Sequence, residues 1–296
     1  MLDQPRKYNS IDVKPIAGAL GAEIFGADLS KPLNDETFGE IYRAWLDHLV
    51  IFFRDQEITP AQYIEFANKF GEIHTHPLMK GLDDYPEVLE ILKNEDDTYT
   101  FGNSWHTDQI FTDKPAKASM LYAKETPPYG GDTLFANMYL AYDALSDGMK
   151  AMIGGLRALN KGDNYKRRKQ TGDHRSRAER YAAAKTTMKL KEKPDENRVT
   201  EAVHPVVRTH PETGRKSLYI SVHTETLEGF NEDEADIIID QLREHAMKPE
   251  FVCRFNWRPG SIALWDNRCT QHYAMGDYQG FRRRMHRLMI KGDTPV

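Results

Sequence analysis

Apolar residues follow two rhythms along this chain. In "LNDETFGEIYRAWLDHLVIFFRDQ" they first recur three or four positions apart, the helical period, and then form the unbroken run "LVIFF". The first part predicts a helix with an Asn or Asp cap and the second a strand. A second helix is predicted at "TPAQYIEFANKFGE", where Thr59 caps, Pro60 takes the first helical position and Gly71 lies past the end. Two more are predicted at "NMYLAYDALSDGMKAMIGGL" and "NEDEADIIIDQLREHAM". Elsewhere the rhythm is shorter. The opening "IDVKPIAGALGAEIFGADLS" alternates between glycine turns. From about residue 85 short β-branched and aromatic runs recur: "EVLEILK", "KASMLYAKE", "GGDTLFANM", "VHPVVRTH", "KSLYISV", "FVCRFNW" and "SIALWDN". Many short strands with Gly and Pro turns predict a mainly β fold, a double-layered jelly roll with helices packed outside. No internal repeat interrupts it.

Composition narrows the class. With 40% hydrophobic and 29% charged residues over 296 positions, the chain fits a globular enzyme rather than a disordered or fibrous protein. A net charge of −5 implies no nucleic-acid partner for the molecule as a whole. Two cysteines, Cys253 and Cys269, argue against a disulfide framework and suit a reducing compartment. The N-terminal residues lack the apolar run of a signal peptide, and no window reaches 18 apolar residues, so the expectation is a cytoplasmic protein without a membrane partner. A homo-oligomer is compatible with the sequence, which does not define the oligomeric state.

Candidate chemistry begins at "GNSWHTDQIF". In a strand, His106 and Asp108 would share one face. A paired core His and Asp satisfies that geometry, and so do two ligands of one metal ion. Toward the C-terminus, "LWDNRCTQHYAMGDYQGFRRRMHRLMIKGD" places His272 after a strand ending in "WDN" and before a Gly-containing turn and a basic strand. Two imidazoles and one carboxylate suit a non-haem Fe(II) centre. Arg283 and Arg287, four apart, point to one face of the basic strand, with Arg282, Arg284 and His286 on the other. Their Cα atoms would be roughly 13 Å apart. An exposed basic strand accounts for Arg282 and Arg284, but not for two same-face arginines following His272 by eleven and fifteen residues.

Together, "WHTD", "GGDT", "WDNRCTQHYA" and "RRRMHR" resemble the iron(II)- and 2-oxoglutarate-dependent dioxygenases of the taurine and chlorophenoxyacetate dioxygenase family, in that family's order and spacing, from about residue 12 to the C-terminus. The resemblance implies a double-stranded β-helix, a cupin-like jelly roll, forming one domain over residues 1–296. It implies Fe(II) on His106, Asp108 and His272, with 2-oxoglutarate and O2 as cosubstrates. It carries Thr133 and Arg283 over as partners of the far 2-oxoglutarate carboxylate, a role that fits the cost of burying a carboxylate without charge and hydrogen-bond partners. Arg287 is implied near both the keto-acid end and an anionic group of the substrate. His76, in "GEIHTHP", is the implied substrate contact, with Asn103 and Gln109 as further candidates. A His-x-His metal pair at His74 and His76 is the alternative for that segment.

Two departures bear on the substrate. Met79 stands where the taurine enzymes carry an aromatic, and Gly102 where they carry asparagine, with Asn103 next to it. Taurine is therefore in doubt, whereas a small anion (sulfonate, sulfate ester or aryloxy or alkyl carboxylate) is expected. The segment from Tyr165 to Lys193 holds eleven Lys or Arg and three acids. It reads as a solvated excursion or as a basic lid over an anion, and a nucleic-acid patch is disfavoured because stacking aromatics are nearly absent. Two other classes fit the jelly roll, a metal-dependent hydrolase and a catalytically silent binding protein. The first lacks a separate activated nucleophile or base, and the second leaves the triad and the Arg283/Thr133 pair without a purpose.

Overall fold

The computed structural model describes residues 7–75, 79–162, 185–189, 191 and 200–296. Most of the basic 165–193 segment, and His76, lie outside the described residues. Fifteen strands and five α-helices are assigned among those described. The large sheet has seven strands in the order β1 (Asp12–Pro15), β2 (Ala22–Phe25), β3 (Val50–Phe53), β13 (Ile262–Asp266), β5 (Ala118–Glu125), β15 (Arg283–Ile290) and β4 (Leu89–Lys93). All its pairings are antiparallel except β2 with β3. A three-stranded sheet, β12 (Val252–Phe255), β6 (Thr133–Asn137) and β14 (Thr270–Ala274), carries the opposite wall. The architecture is the expected double-stranded β-helix.

Strand alternation explains how one sheet serves two cores. Ile51, Phe53, Met120, Tyr122, Ile262, Leu264 and Leu288 pack under the N-terminal helices. Their neighbours Val50, Phe52, Leu121, Ala123, Ala263, Trp265 and Met285 face inward and meet Phe135 and Phe255 of the small sheet. Within that interior Phe52 and Phe255 stack with ring centroids 3.8 Å apart. The helices begin where the sequence signals them. Asn34 accepts from the Thr37 amide to start α1 (Asp35–His48), and Thr59 with Gln62 forms a capping box at α2 (Pro60–Asn68).

Two expectations need correction. The helix read across 137–156 is two, α3 (Met138–Asp143) and α4 (Asp147–Ile153), because Ser146 caps a new helix by accepting from the Met149 amide. His272 follows β13, as expected, and lies within strand β14, paired with Phe135 of β6. The "HTD" segment is not a strand: His106 makes a single bridge to His272, and the chain then turns through Gln109 at a φ of 56°. A three-residue run that satisfies both i, i+2 spacing and a turn is not distinguishable from a strand by pattern alone. Strands β7 (Arg157–Lys161) and β11 (Thr224–Leu227), which pair with each other, had no clear apolar signature. The last helix, α5 (Glu232–Ala246), is capped by Asn231 and Glu234. No described helix is long and apolar enough to cross a membrane.

Candidate metal centre

Inward-facing positions of β5, β14 and β15 converge on the turn that follows His106. Its bridge to β14 is held by two backbone hydrogen bonds, His106 N–H to the His272 carbonyl at 3.1 Å and the reverse at 2.8 Å. The imidazoles are thereby adjacent, with ring centroids 4.1 Å apart. Asp108 closes the group, its Oδ1 lying 3.6 Å from His106 Nε2 and 3.7 Å from His272 Nε2. One ligand atom from each residue lies within 4.8 Å of the others, and all three side chains are buried.

The surroundings prepare these atoms for a cation. His106 Nδ1 is 2.7 Å from the Ser104 carbonyl, which requires the proton on Nδ1 and leaves the Nε2 lone pair directed at Asp108 and His272. Burial, reinforced by the neighbouring His106, pushes the His272 pKa well down, so its imidazole is neutral. Asp108 is the opposite case. Burial disfavours its charge most strongly, but the Arg287 guanidinium against Oδ2 and the two neighbouring histidines together outweigh burial and hold the carboxyl far below the ordinary range. Oδ2 also accepts from Ser119 Oγ at 2.6 Å. Ser119 Oγ accepts in turn from Asn267 Nδ2 at 3.0 Å, and Trp265 Nε1 donates to Asn267 Oδ1 at 3.0 Å. Oδ1 is left for a ligand. Two imidazole nitrogens and one ionised oxygen within reach of one another fit Fe(II).

The expected carboxylate anchor lies on the same strand as Arg287. Arg283 is buried, and its Nε and Nη2 have no hydrogen-bond partner among the described residues. Burial pushes its pKa down, with the Tyr278 phenol beside it partly offsetting that cost. Thr133 accepts at Oγ1 from Trp257 Nε1 at 2.9 Å, so its hydroxyl proton is free to donate elsewhere. The Trp257 ring lies 5.9 Å from the Arg283 guanidinium carbon. In "GGDT", Gly131 has a φ of 69°, and a Cβ there would sit 3.4 Å from Arg283 Cδ. Asp132 turns away to Arg254 and Asn256.

The candidate substrate residues are distributed unevenly. Arg287 is committed to Asp108, with its guanidinium carbon 6.0 Å from the Phe101 ring. Gln109 donates to His74 Nε2 at 3.0 Å. Asn103 accepts from Tyr273 at 2.9 Å. Gly102 has a φ of 77°, and a Cβ there would lie 3.4 Å from His106 Cε1, so a side chain at this position would start in contact with the metal ligand. Met79 is buried.

Among the described residues the other metal-compatible group is His210, Asp266 and Cys269. It is a structural network instead. Arg268 takes both Asp266 oxygens at 2.8 and 2.6 Å, while His210 Nδ1 accepts from the Glu212 and Thr213 amides and its Nε2 faces Asp266 at 3.1 Å. Sequence reading passed over Ser119 and Asn267. A lone serine in the apolar strand "ASMLYA" was the available signal for the first.

The family model described as taurine catabolism dioxygenase TauD, TfdA family matches residues 12–289. The chain is 34% identical over 288 residues to an alpha-ketoglutarate-dependent sulfate ester dioxygenase of Pseudomonas putida, covering 97% of this chain and 91% of that protein. It is 33% identical over 286 residues to an alkylsulfatase of Acinetobacter baylyi, covering 96% and 86%. A crystal structure of a taurine dioxygenase from Burkholderia xenovorans superimposes with a TM-score of 0.80 at 34% identity, covering 97% of this chain and 91% of that one.

Proposed function

The chain belongs to the taurine catabolism dioxygenase TauD, TfdA family, and on that premise we propose that its substrate is a small organic sulfate ester or a related sulfonate. It is an Fe(II)- and 2-oxoglutarate-dependent dioxygenase. Bound iron supplies activation of O2, coupled to conversion of 2-oxoglutarate to succinate and carbon dioxide and to hydroxylation of a substrate C–H bond. In this reading the jelly roll and its outer helices form one dioxygenase domain.

The residues divide the work. His106, Asp108 and His272 hold the metal, and Ser119 and Arg287 fix Asp108 so that Oδ1 alone faces it. Arg283 and Thr133 receive the far carboxylate of 2-oxoglutarate. The observation that carries this assignment is the buried Arg283 guanidinium with two nitrogens unpartnered among the described residues, since such a charge is costly until an anion arrives. That contact orients the keto-acid end toward the iron ligands.

An anionic substrate is favoured by charge. Iron, Asp108 and the doubly charged cosubstrate sum to −1, which Arg283 offsets, so a further anion needs further cations. Arg287 supplies one, with Phe101 against it. His76 and the basic 165–193 segment, as a lid, supply the remainder, with Asn103 and Gln109 shaping the entrance. The described stretch 185–189 is tied to residues 80, 97 and 98. The Thr98 amide donates to the Lys185 carbonyl at 3.1 Å, the Thr187 amide to Asp97 at 2.9 Å and the Lys80 amide to the Lys189 carbonyl at 3.0 Å. The sulfate ester is preferred because two relatives at 33–34% identity carry that activity in their names. Hydroxylation of the carbon bearing the ester oxygen would release sulfate and an aldehyde. The test is succinate formation with Fe(II) and 2-oxoglutarate across an alkyl sulfate, the matching sulfonate, an aryloxy carboxylate and a neutral ether of the same shape. The alkyl sulfate is expected to stimulate turnover most. Equal use of the neutral ether would overturn the anionic substrate and leave the iron site intact.

A further inference from the structure

We propose that Lys93 is a second cation of the pocket for the far 2-oxoglutarate carboxylate, acting beside Arg283; this rests on the cosubstrate reading above. Lys93 ends β4, the last strand of the large sheet, and its register partner in β15 is Arg283. Directly opposed residues of an antiparallel pair project from the same face, with Cβ atoms about 4.5–5.5 Å apart. That face is the interior of the jelly roll, since the next inward pair along the two strands is Ile91 with Met285. Lys93 is 4% exposed and Arg283 6%.

Both cations lie against one phenol. Lys93 Nζ is 5.0 Å from the centre of the Tyr278 ring, and the Arg283 guanidinium carbon is 5.8 Å from it. Among the described residues the ammonium has one hydrogen bond, a long one of 3.4 Å to the Asn94 carbonyl. No carboxylate among the described residues forms an ion pair with Lys93 or Arg283. Asp97, which feels the Lys93 charge, has its Oδ2 taken by the amides of Asn94 and Thr187. Asp132, which acts on Arg283, is taken by Arg254 and Asn256.

Two adjacent buried cations repel each other, and each loses hydration without gaining a directly paired carboxylate among the described residues. A single incoming carboxylate relieves both terms at once. The Tyr278 ring face attracts the ammonium and offsets part of this cost, but it carries no formal charge and cannot neutralise two cations as a carboxylate would.

The experiment is calorimetric binding to the Mn(II)-loaded full chain, with two probes that share the keto-acid end. 2-Oxoglutarate has the far carboxylate and 2-oxobutyrate lacks it. Lys93→Met, which keeps the stem, is expected to weaken 2-oxoglutarate about tenfold or more while leaving 2-oxobutyrate unchanged. Lys93→Arg should recover most of the loss. The proposal is overturned if Lys93→Met binds 2-oxoglutarate like wild type, or if it loses both probes equally. Arg283→Ala is the control. If it loses 2-oxoglutarate selectively while Lys93→Met does not, the cosubstrate reading stands and the role of Lys93 fails. If Arg283→Ala also binds like wild type, the pocket itself has been misplaced.

Discussion

Asp108 shows what single residues contribute. Its carboxylate is divided between two tasks, Oδ2 held by Ser119 and Arg287 and Oδ1 turned to the imidazoles. Partners of this kind behind a ligand typically govern metal affinity by about 10–100-fold. Ser119→Ala should therefore weaken Mn(II) or Fe(II) binding by about that factor, with an unchanged circular dichroism spectrum, as a metal titration would show. Wild-type affinity would mean that Arg287 alone orients the carboxylate. The triad residues were legible because His106, Asp108 and His272 sit in motifs with fixed spacing. Ser119 and Lys93 were not, because a serine or lysine inside an apolar strand announces burial without saying what it faces.

At the scale of elements, β15 separates two chemistries by alternation. Arg283, Met285 and Arg287 face the interior, whereas Arg284, His286 and Leu288 face the helix-covered side. His286 is buried there between Glu90, Lys124 and Arg284, and burial, helped by Lys124 and Arg284, brings its pKa down to about 4. An unfolded histidine titrates near 6.5. Above that value neither state is protonated, so the stability is complete. Between about 6.5 and 4 the unfolded chain takes up a proton that the folded chain refuses, and stability falls. Below both values the loss is complete. His286→Gln should flatten the fall in melting temperature across this window, and an identical slope would remove His286 as its source. The helices give a simpler case. Thr59 caps α2 at the surface through its reciprocal bonds with Gln62, so Thr59→Ala should cost about 1 kcal/mol in denaturant unfolding. Caps were readable from sequence because their partners lie within three residues.

For the whole molecule, ligand binding and stability are one equilibrium. A ligand at a hundred times its Kd stabilises the native state by about 2.7 kcal/mol. Mn(II) should raise the melting temperature, and 2-oxoglutarate should raise it further. Arg283→Ala should keep the first increment and lose most of the second, since removing one partner of a buried charge pair typically costs about 3–5 kcal/mol. Retention of both increments would exclude Arg283 as the anchor. By itself the sequence determined the mainly β class, the caps, the His106/Asp108 pair and the same-face arginines, all of which depend on local period or on spacing within one segment, while the resemblance to a known family joined His272 to the pair. Tertiary structure decided the rest. It turned the chain at Gln109 rather than extending it, placed His272 in β14 opposite Phe135, committed Arg287 to Asp108, and set Lys93 opposite Arg283. The two strand pairings depend on the register between strands distant in sequence, which follows from the packing of both sheet faces at once, and the other two depend on where the turn after His106 meets β15.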